Sequence, residues 1–350
     1  MIRFIAAASA AVLMASAALA GVAKMEAKLK AAFEAGALEG LHSVLVLKDG
    51  EIFAEAHFAG EDESWGVSHG VRQHGPDTLH DLRSVTKSIV SLTYGIALAE
   101  GKVPPVTEAL VAQFPEYPDL AADPERARIT IEDALTMRTG LKWDETGGYV
   151  DKRNSEIAME WAEDRYRFAL EQEIVGPPGH TWNYSGGATT LIERLITKGT
   201  GQRFDLYMAE KLFRPLGISD WGWLGRSDEE PAAASGLRLN IHDLARIGQM
   251  INDGGKVGDL QVVPEDWLEV SMAPHTSTGE LRYGYFWWMP PGEGVPPWVA
   301  GFGNGGQRFS MNKALDLVLV VFAGNYNQPD AWKVPVKVSV EFLVPALQGK

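Results

Sequence analysis

The sequence contains no cysteine in its 350 residues. Disulfide bonds, a thiol nucleophile and a lipidated N-terminal cysteine are therefore excluded. A run of basic residues is also missing, and 46 acidic against 32 basic side chains give a net charge of −14. Nucleic acid and anionic lipid are poor partners for such a chain, and we interpret the acidity as a contribution to solubility.

Long apolar segments are absent after the first twenty residues. Those twenty begin with Met1-Ile2-Arg3, continue as an apolar run and end in Ala18-Leu19-Ala20, which predicts a secretory signal peptide cleaved after Ala20. The alternative, a membrane anchor, would need a longer apolar span. We therefore expect a periplasmic or secreted protein with no stable membrane anchor after cleavage, as a monomer or homodimer.

Repeats and low-complexity linkers are absent too, so the order of helical and strand-like segments indicates the fold. Strand-like runs flank Asp49-Gly50, a strong hairpin signal, and helical patterns dominate from residue 84 to about 225. The sequence predicts an α+β fold: an antiparallel sheet flanked by helices and built from both chain ends (residues 21–83 and 226–350), with an inserted, mostly α-helical domain (residues 84–225). A site would lie at the seam between the two parts.

Several segments carry more specific predictions. We expect helices over about 22–36 and 157–169, a loop over 58–83, one aromatic strand over 283–288 and a hairpin over 306–324. The last segment is ambiguous, because alternating valines from Val334 to Val340 favour a strand whereas residues 342–347 favour a helix.

The central motif is Ser84-Val85-Thr86-Lys87. Apolar residues recur at steps of three and four from Val85 to Ile96, which predicts a helix beginning near Ser84. Residues three apart share a helix face, so the Lys87 amine can reach the Ser84 hydroxyl and can activate it as a nucleophile. The motif alone also fits an ordinary helix cap beside a solvated lysine.

Three other patterns are weaker candidates. A second copy of the motif, Ser310 to Lys313, is predicted to be strand followed by turn, where the two side chains would not share a face. The Gly66-Val67-Ser68-His69-Gly70 stretch matches a nucleophile elbow but lacks the strand before it and the helix after it. His69, His74 and His80 have no recognised metal-ligand spacing, so we expect no metal and no cofactor.

Two later segments could complete a catalytic site with Ser84 and Lys87. Tyr184 stands at the end of a Pro- and Gly-rich loop, and a phenol there could carry protons. The Gly-rich stretch 300–308 could approach a ligand closely, and the N–H of Gln307 with that of Ser84 could form an oxyanion hole. Each segment alone also fits ordinary loop packing or a hairpin bend.

The three motifs together resemble those of class C-type serine β-lactamases and their relatives. Ser84-Val85-Thr86-Lys87, Tyr184-Ser185-Gly186 and Asn304-Gly305-Gly306 occur in the same order and at similar separations, and the likeness covers residues 30–345. The chain looks most similar to the esterase and 6-aminohexanoate-dimer-hydrolase branch. The resemblance implies the fold of β-lactamases and penicillin-binding proteins.

The resemblance also implies roles for individual residues. Ser84 would be the acylated nucleophile, Lys87 the base for acylation and Tyr184 the proton shuttle, acting on a small ester or amide. The candidate oxyanion and substrate-binding residues are Gln307, Asn304, Gly305, Gly306 and Trp182.

Two departures from the family pattern bear on the substrate. Gly186 stands where β-lactamases have Asn, and Asn304 stands where they have a Lys that helps to hold a substrate carboxylate. Arg308 could replace that Lys if it faced the cleft. The alternatives that stay open are a β-lactamase, a D-Ala-D-Ala carboxypeptidase or penicillin-binding protein, and an inactive binding protein on the same scaffold.

Overall fold

The computed structural model describes residues 24–149, 151–227, 230–292, 295 and 297–349. The predicted signal peptide, residues 1–20, lies outside this part of the chain. Within it, no helix combines the length and the apolar character needed to cross a membrane.

Helices occupy the middle of the chain and both of its ends. The α-helices are α1 (24–34), α2 (Val85–Ala99), α3 (Pro118–Ala121), α4 (Ile131–Leu135), α5 (Ser155–Glu160), α6 (Arg165–Leu170), α7 (Gly186–Thr200), α8 (Phe204–Met208), α9 (Ile241–Asn252), α10 (Glu265–Ser271), α11 (Lys333–Lys337) and α12 (Val344–Leu347). Two π-helical turns, Ala209–Phe213 and Val338–Leu343, continue α8 and α11.

Strands lie on either side of the helical middle. They are β1 (Leu41–Lys48), β2 (Glu51–His57), β3 (Ala59–Ser64), β4 (Val67–Gln73), β5 (His80–Asp81), β6 (Gly222–Trp223), β7 (Gly225–Ser227), β8 (Glu230–Pro231), β9 (Leu237–Leu239), β10 (Lys256–Val257), β11 (Leu260–Gln261), β12 (Thr276–Ser277), β13 (Arg282–Tyr283), β14 (Trp288–Met289), β15 (Val299–Gly303), β16 (Gln307–Asn312) and β17 (Leu317–Ala323).

The main sheet is antiparallel and draws its strands from both parts of the chain. Its eight strands follow the order β12-β13-β14-β15-β16-β17-β1-β2. The N-terminal hairpin therefore joins the sheet by pairing β1 with β17, with Val44 opposite Val321. This architecture confirms the predicted α+β class with a sheet built from both chain ends. The domain boundaries at residues 83/84 and 225/226 stay predictions.

Local sequence signals account for several element ends. Asp49 and Gly50 have φ of 53° and 76°, as a two-residue hairpin turn requires, so the predicted hairpin is confirmed. Thr130 and Asp133 form a reciprocal capping box at the start of α4, which satisfies N–H groups that the first turn leaves free.

The sheet separates two hydrophobic clusters. One lies between the sheet and the helical middle of the chain and includes Leu45, Phe309 and Ile89. The other lies on the opposite face under the terminal helices and includes Val44 and Leu319. Neighbouring residues of a strand point to opposite faces, so the apolar runs in β1 and β17 supply both clusters. Helix α2 is buried along almost its whole length and packs against α7 and β15.

Four local predictions need correction or completion. Residues 58–83 are not one loop: β3 and β4 form a two-stranded hairpin around Trp65-Gly66, outside the main sheet. Its strands are mostly polar, with Asp62 and Ser64 buried on β3, and lack the apolar alternation that predicts a half-buried strand. The predicted 157–169 helix is broken, because Asp164 caps the new helix α6 through its side chain. Instead of one aromatic strand over 283–288, Tyr283 ends β13, Trp288 begins β14, and the residues between them form a tight turn. The ambiguous C-terminal segment is helical.

Candidate active site

Ser84 lies at the N-terminus of α2, where strand β5 leads into the helix. It occupies the N-cap position, and Arg83 before it has a φ of 49°. The Ser84 hydroxyl therefore lies at the N-terminal end of the helix rather than within it. Within the described residues, the Ser84 N–H takes part in no hydrogen bond with the backbone, so it is free to bind an oxyanion.

Lys87 is buried directly beside Ser84. Its side chain is 1% exposed, and Nζ lies 3.1 Å from Ser84 Oγ and 3.0 Å from the Ala234 carbonyl oxygen. The spacing of one helical turn gives the first contact, whereas the second depends on the 232–239 segment, which Thr86 anchors by accepting a hydrogen bond from the Leu237 N–H. A solvated lysine beside an ordinary helix cap is therefore excluded.

Tyr184 comes from a distant loop and meets the same pair. Its ring centroid lies 4.8 Å from Lys87 Nζ, and the Ser84 side chain is close enough to act on the pKa of its hydroxyl. Ser185 caps α7 immediately after it by accepting a hydrogen bond from the Ala188 N–H. Burial raises the pKa of Tyr184 well above its usual value, with further increases from the charge of Glu145 and a smaller one from Glu156.

Two glutamates that sequence reasoning missed stand beside these three residues. Glu156 is buried, and its Oε2 lies 3.7 Å from Lys87 Nζ while Oε1 accepts a 2.6 Å hydrogen bond from the Ser235 hydroxyl. Glu145 accepts hydrogen bonds from the Gly186 N–H and from Trp143 Nε1, both at 2.6 Å. Neither residue belongs to a recognisable motif, and both lie far along the chain from Ser84.

The two carboxylates influence each other. Burial and, to a smaller extent, the neighbouring charge of Glu156 raise the pKa of Glu145 to about 7, against the opposing charge of Lys87. A carboxyl group with such a pKa changes charge near neutral pH. The site therefore contains one acidic group that titrates where many enzymes work.

Gly186 explains how Glu156 comes to lie there. A Cβ atom on residue 186 would sit 2.6 Å from Glu156 Oε2, which is closer than any ordinary contact. The Asn that β-lactamases carry at this position could not coexist with Glu156 in this conformation. The departure from the family motif is thus coupled to a carboxylate contributed by another element.

The glycine-rich segment approaches the site through the turn between β15 and β16. Asn304 lines the cleft with Ser84, and Gly305 and Gly306 adopt φ of 93° and 97°, which favour glycine. Gln307 is buried, and its side chain is engaged in hydrogen bonds with the Ala323 backbone. Gly303 lies against the nucleophile segment, because its Cβ would sit 2.4 Å from the Leu82 carbonyl oxygen. Gln307 as the oxyanion donor stays a prediction.

Trp182 belongs to an aromatic wall beside Tyr184. Its ring centroid lies 6.0 Å from Tyr184, 5.7 Å from Tyr283 and 5.6 Å from Trp288. Trp288 in turn stacks on Phe302 of β15. An apolar group of a substrate could pack against this wall.

Arg308 does not face the cleft. It lines a groove on the opposite face of the sheet, with apolar residues that include Leu319 and Val340. Burial lowers its pKa to about 10. Its guanidinium carbon lies 3.8 Å from the centroid of the Phe302 ring and does not line the cleft beside Ser84, so it does not take the place of the missing motif Lys. The cleft beside Ser84 carries acidic side chains instead, from Glu156 and Glu160.

The weaker sequence patterns lie away from this centre. Ser310 and Lys313 fall at the end of β16 and in the turn after it, as predicted. Ser68 is exposed on β4, without the strand–turn–helix that an elbow needs.

Comparison with known proteins identifies the family. The β-lactamase family model matches residues 13–331. The chain belongs to the β-lactamase family. It is 23% identical over 310 residues to the 6-aminohexanoate-dimer hydrolase of Paenarthrobacter ureafaciens, covering 82% of this chain and 73% of that protein.

Solved structures show the same fold at low sequence identity. EstCE1, a hydrolase with promiscuous acyltransferase activity, superposes with a TM-score of 0.70 at 12% identity, covering 93% of this chain and 99% of that one. The octameric penicillin-binding protein homologue from Pyrococcus abyssi gives 0.69 at 18% identity, covering 94% and 78%. This member of the β-lactamase family is therefore a hydrolase homologue with the family's mixed α+β architecture.

Proposed function

We propose that the protein is an exported serine hydrolase that forms an acyl-enzyme on Ser84 and hydrolyses a small ester or amide. The observation that carries this proposal is the 3.1 Å approach of Lys87 Nζ to Ser84 Oγ, at a lysine withdrawn from water. A neighbouring base of this kind is what a serine hydroxyl needs to become a nucleophile. Export rests on the predicted signal peptide alone.

In acylation, Lys87 and Tyr184 each carry out one proton transfer. Ser84 Oγ attacks the carbonyl carbon as its proton passes to Lys87, and the carbonyl oxygen becomes an oxyanion held by the Ser84 N–H and an N–H of the 303–307 turn. The C–O or C–N bond to the leaving group then breaks as the leaving group takes a proton through Tyr184. The raised pKa of Tyr184 favours the neutral phenol, so we assign the base to Lys87 and the relay to Tyr184.

In deacylation, a water molecule takes the place of the departed leaving group. A water molecule gives a proton to the Lys87–Tyr184 pair and attacks the acyl carbonyl, and Ser84 recovers its proton when the ester bond breaks. Each backbone donor that holds the oxyanion can be worth about 3 kcal/mol in the transition state. Acid and product alcohol or amine leave the cleft, and the starting protonation state returns.

The charges around the cleft disfavour an anionic β-lactam. Asn304 replaces the motif Lys, Arg308 lies on the other face of the sheet, and Glu156 and Glu160 line the cleft. Arg83 lies there too but is paired with Glu63 at 2.6 Å, just as Glu156 is paired with Lys87 at 3.7 Å and Glu160 with Arg165 at 3.6 Å. An uncharged acyl group against the aromatic wall fits this environment better than a carboxylate does.

Active-site labelling tests the proposal. A fluorophosphonate probe should label the wild type, and Ser84→Ala should lose the label and about 10³-fold or more of nitrophenyl-ester turnover. Ser310→Ala is the matched control, because it removes the serine of the second Ser-x-x-Lys copy and should behave as wild type. Equal labelling of wild type and Ser84→Ala would defeat the assignment, and rapid nitrocefin turnover would favour a β-lactamase.

A further inference from the structure

The face of the sheet turned away from Ser84 carries a second cavity. It is a groove of about 480 Å³ between strands β16 and β17 and the C-terminal helical segment, residues 333–347, and its size is that of small-molecule sites. Leu317 and Leu319 line it from the sheet, whereas Val340 and Val344 line it from the helical side. Val340 is 60% exposed and Val344 46%, and apolar surface that water reaches in this way often marks a ligand-binding groove.

Arg308 is the one charged side chain among the described residues that line the groove. Its guanidinium carbon lies 3.8 Å from the centroid of the Phe302 ring, and its Nε is shielded from water without a hydrogen-bond partner in the described part of the chain. Burial lowers the pKa of this arginine to about 10, so it stays positively charged at neutral pH. A charge withdrawn from water is costly unless it is paired. The groove therefore presents a positive charge that no carboxylate among its described lining residues balances.

Arg308 stands at one end of a polar row along β16. Side chains two residues apart on a strand point to the same face, and Arg308, Ser310 and Asn312 all line the groove. The side-chain oxygen of Asn312, at the far end, accepts a hydrogen bond from the Leu315 N–H. Ser310 is the neighbour of Arg308 in this row, so its hydroxyl adds a second donor at the cationic end. That end of the groove suits an anionic group, and the leucines of β17 suit an apolar chain.

We propose that the groove binds one free long-chain fatty acid, with its carboxylate on Arg308 and its acyl chain between β17 and the C-terminal helical segment. A guanidinium pairs with a carboxylate through two parallel N–H···O hydrogen bonds, and burial of the acyl chain removes apolar surface from water. The net charge of −14, which disfavours an anionic membrane surface, does not oppose a single carboxylate at a local positive group. Binding is reversible, breaks no bond and does not depend on the catalytic roles of Ser84 and Lys87.

Calorimetric titration of the purified, delipidated full chain with dodecanoate, below the concentration at which it forms micelles, tests the proposal. We expect one dodecanoate per chain. Dodecanol and dodecyltrimethylammonium carry the same chain without the carboxylate, so each should bind more than about tenfold more weakly, as the loss of a hydrogen bond to a charged group predicts. Absence of stoichiometric dodecanoate binding, or equal affinity for all three compounds, would overturn the proposal.

Removing the charge of Arg308 should weaken dodecanoate binding. Arg308→Gln loses the charge-assisted hydrogen bonds to the carboxylate, so we expect an affinity about 10- to 100-fold lower. Arg214→Gln is the matched control, because Arg214 is 75% exposed beside Glu210, outside the groove, and should bind dodecanoate as wild type does. An affinity that is unchanged in Arg308→Gln, or that falls equally in both variants, would contradict the assignment.

A second pair of variants covers the case in which Arg308→Gln does not fold. Val340 lines the groove at an exposed position, so Val340→Trp places a large ring in the groove without disturbing the core. We expect dodecanoate affinity to fall by more than about tenfold, since a filled cavity leaves no room for the chain. Val175→Trp changes a valine of the same 60% exposure away from the groove and should bind normally. Full affinity in Val340→Trp would exclude this groove.

A photoreactive fatty acid with a diazirine on its chain locates the ligand in the wild type. Crosslinks should fall on β16, β17 or residues 336–348, which line the groove. Crosslinks to Trp182 or Tyr184 would place the fatty acid at the aromatic wall beside Ser84 and would overturn the proposal. Sedimentation of the ligand-free chain covers the other occupant: a dimer that dodecanoate dissociates would show that a second copy of the chain fills the groove, which would also overturn it.

Discussion

At the scale of single residues, the site differs from its family motif because the Glu156 carboxylate occupies the place of the motif's Asn side chain. Gly186 leaves the space that Glu156 fills, and Glu156 faces Lys87 at 3.7 Å. When Lys87 takes the Ser84 proton, the resulting ammonium forms opposite a carboxylate. An opposite charge at this distance is worth on the order of 4 kcal/mol in a protein-like dielectric.

Glu156→Gln should therefore lower kcat/KM about 10- to 100-fold, a loss of about 1.4–2.7 kcal/mol in transition-state stabilisation. The amide can still accept the hydrogen bond from Ser235 but no longer opposes the ammonium. Steady-state kinetics with a nitrophenyl ester measures the effect. Glu163→Gln, at an exposed position after α5, is the control; equal kcat/KM in both variants would contradict this role.

Glu145 should make stability depend on pH near neutrality. Its folded pKa of about 7 lies above the ordinary 4.5, so the folded protein holds a proton that the unfolded chain has lost between these pH values. The free energy of unfolding contributed by this group is complete below pH 4.5 and declines as pH rises to about 7.

Glu145→Gln removes that decline, because a neutral amide never takes up charge. Its stability relative to wild type should rise between pH 5 and pH 8 by on the order of 1–3 kcal/mol. Urea unfolding at both pH values measures the difference. The exposed Glu39→Gln should show no such change, and a pH-independent difference for Glu145→Gln would refute the assignment.

At the scale of elements, the contact between β15 and the start of α2 shapes the cleft. Gly301 and Gly303 lack side chains where the strand meets the helix: a Cβ on Gly301 would lie 3.0 Å from Ser88 Oγ. The absence of side chains lets the strand approach the nucleophile segment closely. Larger side chains at these two positions would push β15 away from Ser84, and the 303–307 turn would move with the strand.

Gly303→Ala tests this approach. The new methyl group would meet a backbone oxygen, which cannot rotate away, so we expect a loss of about 1–3 kcal/mol in stability and at least about tenfold in kcat. Thermal unfolding and ester turnover measure the two effects. Gly292→Ala, where no atom of the described residues lies within 4 Å of the added carbon, should match wild type; a neutral Gly303→Ala would exclude close packing as the constraint.

At the scale of the whole molecule, one hydrophobic cluster joins the sheet to the helical middle of the chain. Phe309 of β16 is fully buried in it and packs under Gly248 of α9. Because both parts share this core, we expect them to unfold together, although their boundaries were predicted as those of two domains.

Phe309→Ala should destabilise the protein by about 3–5 kcal/mol and shift the far-ultraviolet circular dichroism and tryptophan fluorescence midpoints in urea equally. Val340→Ala, at an exposed position, should change neither. Two separated transitions in Phe309→Ala would show instead that the helical part unfolds on its own.

The sequence by itself determined those features that depend on contacts between residues close together in the chain. The Asp49-Gly50 turn, the Thr130–Asp133 cap and the reach from Lys87 to Ser84 depend on contacts within a few residues, which backbone geometry fixes. The order of the segments, with strands at both ends and helices in the middle, also sufficed for the fold class. Polar, exposed strands such as β3 and β4 escaped prediction because they carry no apolar period.

Tertiary structure alone decided which distant groups meet. Glu156 and the Ala234 carbonyl reach Lys87, and Arg308 turns to the other face of the sheet. His42 lies buried beside His74 and His80, whereas His69 bonds to Ser64 outside that group. No periodicity encodes these encounters, because they depend on how the sheet, the hairpin and the helices pack against one another. Free energy from burying apolar surface, which is not directional, brings these elements together, and only the packed arrangement fixes the distances between their polar side chains.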